Sequence, residues 1–378
     1  MIGPSMRADR VVLSHTAIAA VGATYLAMGL VVSSYGPLLE HLTRRFGVSL
    51  PIAGATISVH FAASLVGVLA AMRSVEKLPG RTTVMIATGL VGIGCVGAAL
   101  AASWASFMVA IAVIGFGFGA LVLSLNQLVA YSEGARRGAL LNILNGAYSA
   151  GEVVSPVLVA LFAAQHFAVL FIGAAILSLV LIPGDTGIVG RLPFAAGPGR
   201  PSRLVLIFVL AIVLYVGIEN GTGGWMTSHL ESLDLGSTQA ASVTSGFWLA
   251  LVTGRVLMSV VPPRIPEPGI VLGGAAVATV ALLAASFGPI APVAYVVAGL
   301  FIAPIFPTTI VWLARMRPGD SRATSWLYPA ASIGGTFGPG AIGIVVAAFG
   351  VRWVPVVLAL VAIAMTITFW FADRRSRA

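Results

Sequence analysis

Residues Gly138–Phe162 read GALLNILNGAYSAGEVVSPVLVALF, a stretch that is long enough to cross a bilayer yet holds two asparagines and a glutamate. Its polar members Asn142, Asn145, Ser149 and Glu152 recur at steps of three and four residues, so they share one face of a helix. A charged side chain at the centre of a spanning helix costs roughly 2.5–3.5 kcal/mol on insertion scales. We therefore expect this polar stripe to face the interior of a helix bundle and to mark a functional site.

The composition predicts an integral membrane protein with a lipid bilayer as its environment. Of the 378 residues, 58% are hydrophobic and 9% are charged, whereas soluble domains average about 25% charged residues. Continuous apolar runs favour helices over the alternating strands of a β-barrel. The net charge of +9 is assigned to basic loops that orient spanning helices, so no nucleic acid partner is predicted. Cys95 is the only cysteine, which excludes an internal disulfide.

Twelve apolar segments are predicted to span the membrane. They are residues 12–39, 48–72, 82–102, 105–131, 138–163, 166–183, 204–230, 237–261, 268–287, 289–314, 322–348 and 351–371. With the N-terminus in the cytoplasm, 17 of the 21 Lys and Arg side chains lie on the cytoplasmic side. This bias predicts a multi-pass protein of the cytoplasmic (inner) membrane with both termini inside the cell.

The chain is predicted to divide into two six-helix halves, residues 1–183 and 204–378, joined by a cytoplasmic linker at residues 184–203. The linker region is rich in proline, glycine and arginine. The halves also share a short motif: Ser149–Pro156 (SAGEVVSP) and Ser332–Pro339 (SIGGTFGP) both follow S-x-G-x-x-x-x-P. Two related halves with binding sites near the midplane of the membrane are typical of one large class of secondary transporters.

In these features the chain resembles the major facilitator superfamily, over nearly its full length. Tyr215–Trp225 (YVGIENGTGGW) is similar to the Y-x-G-x-E…G-x-W segment of the branch that contains fucose:proton symporters and bacterial glucose/mannose symporters. Asn142, Gly151 and Pro156 are similar to the fifth helix of that branch. The resemblance implies an all-α membrane protein of two pseudo-symmetric halves that transports a polar small molecule by alternating access.

This chain departs from the branch in its acidic residues. Fucose-type symporters carry acids in helices 1 and 4, whereas the matching stretches Val32–Gly36 and Leu121–Asn126 hold none. Coupling to protons, or to sodium, therefore moves to Glu219 or Glu152. Glu219 lies among glycines that let a helix bend near a cavity or pack closely, and we expect it to contribute more than Glu152. For Glu152 the alternative is a structural carboxyl bonded to a neighbouring helix near Arg255.

Amides and aromatic rings are the candidate groups for a small-molecule substrate, because each sugar hydroxyl needs both donors and acceptors. The candidates are Asn126, Gln127, Asn142, Asn145, Tyr148, Tyr215, Asn220, Trp225, Trp248, Trp326 and Tyr328. Each amide taken alone is explained equally well as a hydrogen bond between helices.

A second group of residues is assigned to gating by the resemblance. Arg255 follows Gly254 and resembles the Gly-Arg pair that closes the cytoplasmic ends of helices in this superfamily. Arg73, Glu76 and Arg81 resemble a reduced copy of the family's motif in the loop between helices 2 and 3.

The sequence favours a monomeric, proton-coupled sugar transporter without a cofactor over three alternatives. An enzyme is not predicted, because the sequence offers no nucleophile–base pair, metal cluster or phosphate loop. A drug or metabolite exporter is the closest rival, since Gly334-x-x-x-Gly338-Pro339 is similar to an antiporter signature. That signature belongs in helix 5, where this chain has Gly151-x-x-x-Ser155-Pro156. A non-transporting receptor is disfavoured because the sequence predicts no sizeable soluble domain.

Overall fold

The computed structural model describes residues 12–74, 78–131, 137–162, 166–180, 182–189, 201–260, 265–317, 323–324 and 326–377. Its helices are α1 (His15–Phe46), α2 (Leu50–Ser74), α3 (Gly80–Ala99), α4 (Trp104–Tyr131), α5 (Arg137–Phe162), α6 (Phe167–Val180), α7 (Arg203–Glu231), α8 (Ser237–Val260), α9 (Glu267–Ala284), α10 (Ala291–Ile302), α11 (Ile305–Met316), α12 (Leu327–Phe349) and α13 (Val354–Arg377). Three short 3₁₀ helices cover Ile182–Gly187, Gly288–Ile290 and Val351–Trp353. Two short strands, β1 (Val12–Leu13) and β2 (Ile188–Val189), pair in antiparallel fashion.

Within these ranges, eleven segments are long and apolar enough to cross a membrane. Helix α5, which carries the polar stripe, is not among the eleven. Together the elements follow the twelve predicted spans in order, with differences at three places.

The first difference is the end of α1, which the sequence places at residue 39. The helix continues to Phe46 because its charged last turns still form helical hydrogen bonds, and it ends where Gly47 adopts a φ of 65°. The Gly47 N–H donates to the Thr43 carbonyl at 2.9 Å, a common way of ending a helix.

The second difference concerns the tenth span, predicted as one helix over 289–314. It consists of α10 and α11, separated by a turn at Ala303 and Pro304. Proline lacks an N–H and its ring obstructs the preceding helical turn, so the hydrogen-bond ladder is interrupted there. The third difference is the structure after α6, where a 3₁₀ helix and β2 occupy part of the segment predicted as linker.

The glycines of the repeated motif have the same packing role in both halves. A Cβ atom on Gly151 of α5 would meet the backbone of α1 at Leu26 and Leu30. A Cβ atom on Gly334 of α12 would meet the backbone of α7 at Val213. Small residues let spanning helices approach this closely. Helices 5 and 1 of the first half thus correspond to α12 and α7 of the second.

A second set of glycines repeats in the same way between the halves. Gly67 and Gly119 bring α2 and α4 together, because a Cβ on either would meet a carbonyl of the other helix. Gly254 and Gly299 do the same for α8 and α10. The shared S-x-G-x-x-x-x-P motif is therefore one part of a more extensive structural repeat.

The chain forms two compact units, and their boundaries differ from those of the predicted halves. The first unit is Met1–Val31, Ala63–Gly151 and Ala168–Gly197, and the second is Val32–Ala62, Glu152–Phe167 and Pro198–Ala378. The second unit thus combines α7–α13 with the joined ends of α1 and α2 and the end of α5. The division at residues 183 and 204 stays a prediction.

Within the second unit, the end where α1 meets α2 packs tightly on α7 and α12. A Cβ atom on Gly36 of α1 would meet the backbone of α7 at Gly223 and Gly224. The Trp225 ring lies against Gly54 of α2, and its indole N–H donates to the Pro339 carbonyl of α12 at 3.0 Å. We call this packed region the α1–α2 end. It lies at the end of the second unit that is predicted to face out of the cell.

Candidate functional site

An ion pair between α7 and α8 lies at the centre of the candidate site. The Arg255 Nη2 atom donates a hydrogen bond of 2.8 Å to Glu219 Oε1. The Glu219 side chain is 13% exposed and the Arg255 side chain is 36% exposed, so solvent reaches the ion pair only in part. Gly254 packs against the backbone of α10. The next residue, Arg255, lies on a different side of α8 and reaches α7. Both predicted residues are thus brought together.

Glu152 of α5 is the second carboxylate of this site. Its residue is 4% exposed, and it lies within electrostatic range of the Arg255 guanidinium. Ser33 of α1 donates to the Glu152 main-chain carbonyl at 3.0 Å, which fixes this part of α5 against α1. One arginine therefore lies near two carboxylates. When all three groups are ionised, their net charge is −1. We refer to Glu152, Glu219 and Arg255 as the charge cluster.

Two buried aromatic donors lie along the same faces of α7 and α8. Tyr215 is 1% exposed and its ring stacks on Phe306, with the ring centres 6.1 Å apart. Its hydroxyl interacts with both Glu219 and Arg255, although neither contact has the geometry of a normal hydrogen bond. Trp248 is 3% exposed and its ring lies against Gly223.

Neither donor has a hydrogen-bond partner within the described chain. The atoms concerned are Tyr215 Oη and Trp248 Nε1. Leaving a buried polar group unsatisfied costs about 1–3 kcal/mol, so each such atom calls for an explanation. A bound polar molecule that reaches α7 and α8 would satisfy both.

The two described amides of α4 and α7 bond to their own helices. Asn126 Nδ2 donates to the Val122 carbonyl at 2.8 Å, and Asn220 Nδ2 donates to the Val216 carbonyl at 3.2 Å. Such local bonds hold each amide in place and leave its oxygen as an acceptor.

The other predicted substrate residues lie in several environments. In α5, Asn145 is exposed, while half-buried Tyr148 makes ring contacts with Tyr25 and Phe118. Trp326 is half-buried and Tyr328 is 38% exposed. The side chains of Gln127 and Asn142 lie outside the described part of the structure.

Trp225 has a different environment from the one that its sequence motif suggests. It is fully buried within the α1–α2 end, where its N–H already has the Pro339 carbonyl as partner. Its predicted role in substrate binding stays a prediction. The packing gives it a structural role in that end.

The predicted gating residues other than Arg255 lie near the ends of α2 and α3. Arg73 is exposed, and its guanidinium approaches the Leu69 carbonyl of its own helix at 3.4 Å. Arg81 is exposed in the first turn of α3. Glu76 lies outside the described residues.

Sequence reasoning placed Arg255 near Glu152 as an alternative but missed its direct bond to Glu219. A signal for that bond was available, because charged residues inside spans almost always pair with one another. Two acids and one arginine were the only charges predicted deep within spans. What periodicity did not reveal was which acid the arginine contacts, since that depends on the approach of α7 and α8.

Comparison with known proteins identifies the fold family. The model of the Major Facilitator Superfamily matches residues 21–203. This match covers just under half of the chain, and the fold described above is the all-α membrane fold of that superfamily. This confirms the predicted resemblance and the predicted fold class, an all-α membrane protein with the major facilitator fold.

Named relatives of this major facilitator protein include sugar transporters. The glucose/mannose transporter GlcP of Bacillus subtilis (strain 168) is 24% identical over 343 residues, which cover 83% of this chain and 84% of that protein. The crystal structure of a D-xylose-proton symporter superposes with a TM-score of 0.78 at 15% identity and covers 94% of this chain and 96% of the symporter.

A second similar structure is a bacterial homologue of the human lysosomal transporter Spinster, in an inward-facing and occupied conformation. Its TM-score is 0.77 at 14% identity, and the match covers 94% of this chain and 96% of that one. At such identities the two solved structures show the fold alone. The spans and the fold of this chain are those of a multi-pass membrane protein of the major facilitator transporter type.

Proposed function

We propose that this transporter takes up a monosaccharide or a similar polyol together with a proton, by alternating access. The relative from Bacillus subtilis is a glucose/mannose transporter, which supports a monosaccharide as the substrate class. The groups available on α7 and α8 also suit such a molecule. They combine an indole N–H, a phenol and amides, which match hydroxyls as donors and acceptors.

The charge cluster is the observation that carries the proton part of the proposal. Arg255 stays charged under all ordinary conditions, so it neutralises one carboxylate. Because Arg255 bonds directly to Glu219, Glu219 is the carboxylate that it neutralises. Glu152, nearly inaccessible to solvent, adds a second buried negative charge near this guanidinium whenever it is ionised. A proton on Glu152 removes this charge, which favours the neutral form in a low-dielectric setting.

The same cluster offers a physical link between the proton and the substrate. When Glu152 loses its proton, two carboxylates compete for one guanidinium, and Arg255 is drawn away from Glu219. Glu219 and Tyr215 then change the hydrogen bonds that they offer to a bound hydroxyl. We therefore propose Glu152 as the group that exchanges the proton and Glu219 as the group that senses it. This reverses the larger role that the sequence suggests for Glu219.

The test compares two transport modes in proteoliposomes. Accumulation of radioactive glucose is measured against an imposed pH gradient, and counterflow is measured without one. We expect Glu152→Gln to lose gradient-driven accumulation while keeping counterflow, because a glutamine binds no proton. Glu219→Gln should lower both, since it breaks the ion pair with Arg255.

Glu267→Gln is the matched control, because Glu267 forms an ion pair with Arg315 at 2.7 Å between α9 and α11. It should transport like the parent. If Glu152→Gln still accumulates glucose against the gradient, the proton does not pass through this residue. Release of preloaded glucose driven by an inward proton gradient would instead favour export.

A further inference from the structure

A buried carboxylate in the first compact unit has no part in the proposed transport site. Asp185 lies in the 3₁₀ helix Ile182–Gly187 that follows α6, and it is 1% exposed. This short helix is held against the start of α1. Gly184 lies beside Ala20 and the Thr16 carbonyl, and the Ser14 N–H donates to the Gly187 carbonyl at 3.1 Å. The pairing of β1 with β2 continues this contact.

The oxygens of this carboxylate have no hydrogen-bond partner of normal geometry within the described residues. This holds for both Oδ1 and Oδ2. The Thr88 hydroxyl of α3 is the side-chain group that interacts with Asp185, and it too lacks a partner of normal geometry in the described chain. Thr88 is 1% exposed. The Thr88 hydroxyl and the Asp185 carboxylate thus approach one another without a hydrogen bond of normal geometry, and a buried polar group without a good partner is costly.

The chemistry of these groups suits a hard cation. Such ions prefer oxygen ligands, and the Asp185 carboxylate and the Thr88 hydroxyl both offer oxygens. Asp185 also follows the C-terminal end of α6, where the helix dipole and free carbonyls attract positive charge. In transporters, such helix ends together with irregular backbone coordinate sodium ions or protons. The ionisable side chains His15 of α1 and Arg81 of α3 are exposed and do not neutralise the site.

We infer that Asp185 and Thr88 form part of a sodium site between α3 and the segment after α6. The ion separates the two oxygen groups and neutralises the buried carboxylate. It fastens the 3₁₀ helix, and with it the β1–β2 pair, to α3. The site lies in a different compact unit from the charge cluster, and the inference does not rest on the proposed proton-coupled function.

Binding of radioactive sodium to the purified full-length protein tests this inference. The parent protein is compared with Asp185→Asn and Thr88→Val in choline chloride of constant ionic strength. We expect saturable sodium binding by the parent, and binding at least roughly tenfold weaker in both variants, because each loses one ligand. Thr83→Val is the matched control. Thr83 is another buried hydroxyl of α3, but it approaches the Pro79 carbonyl, so sodium binding should be unchanged.

Two results overturn the sodium site: no saturable binding by the parent, or equal affinity in the parent and a folded Asp185→Asn variant. A carboxyl that simply holds a proton gives the first of these. If Asp185→Asn does not fold, sodium binding by Thr88→Val decides the question. This variant keeps the Asp185 carboxylate, and valine has nearly the same shape as threonine. Glu152→Gln is expected to keep sodium binding, so this inference and the proposed function fail separately.

Discussion

Arg255 constrains the chemistry of its neighbours, since a guanidinium cannot be deprotonated in a protein and must be balanced in place. Its removal would leave the largely buried Glu219 carboxylate without its ion-pair partner. We predict that Arg255→Gln abolishes transport and lowers the yield of folded protein. Combining it with Glu219→Gln should restore the yield, because the pair is then removed together, but not transport. Size-exclusion chromatography and counterflow measure the two outcomes. If the Arg255→Gln variant alone transports normally, the ion pair has no role in transport.

Trp225 and Trp248 are buried indoles that allow a paired test at the residue scale. Trp248 Nε1 has no partner within the described chain, whereas Trp225 Nε1 donates to Pro339. We predict that Trp248→Phe weakens glucose binding roughly ten- to hundredfold, the effect of losing one hydrogen bond worth about 1–3 kcal/mol. Trp225→Phe should lower stability by about 1 kcal/mol and leave affinity unchanged. Equilibrium binding and thermal unfolding separate the two, and weaker binding by Trp225→Phe would support its predicted role as a substrate residue.

At the scale of helices, close glycine contacts set how the spans approach one another. Helix α9 offers two adjacent glycines with opposite surroundings: a Cβ on Gly274 would lie 2.6 Å from the Phe301 carbonyl, and a Cβ on Gly273 would have no neighbour within 4 Å. We predict that Gly274→Ala lowers stability by about 1–3 kcal/mol through overpacking. Gly273→Ala should raise stability by about 0.5–1 kcal/mol, because alanine favours a helix. Thermal unfolding midpoints in one detergent provide the comparison, and equal midpoints would contradict the packing of α9 on α10.

The helices were largely predictable from the sequence, because a spanning segment needs about 20 apolar residues and that requirement is local. The division of the tenth span was not found, although Pro304 was visible as a signal. Its neighbours are apolar, so hydropathy stays high across the break. The 3₁₀ helix after α6 escaped for another reason. Its burial depends on contacts with α1 and α3, which are distant in the sequence.

For the site, the sequence identified the charged residues but not their partners. Intramembrane charge is costly, so Glu152, Glu219 and Arg255 were recognisable one by one. Asp185 was missed because it lies in a segment that resembles a polar linker. Trp225 was assigned from its motif, whereas its environment is decided by α2 of the other predicted half and by α12 of its own half. Pairing and burial are thus properties of tertiary packing, which periodicity within one helix does not specify.

For the whole molecule, the untested element is the orientation in the membrane. The bias of Lys and Arg predicts that the segment joining α6 and α7 is cytoplasmic and that the α7–α8 turn lies outside. Single cysteines at Gly197 and Gly236 test this, because the native Cys95 is buried and should not react. Gly236 is exposed and has no neighbour within 4 Å of an added Cβ, so the change should not disturb the fold.

We predict that a membrane-impermeant thiol reagent added to intact cells labels Gly236→Cys strongly and Gly197→Cys only after the membrane is permeabilised. The physical reason is that moving many basic side chains across the membrane during insertion is unfavourable, so the basic segments remain inside. Labelling of Cys95 in the parent protein sets the background. The opposite pattern, with residue 197 labelled in intact cells, would invert the topology. The α1–α2 end would then face the cytoplasm.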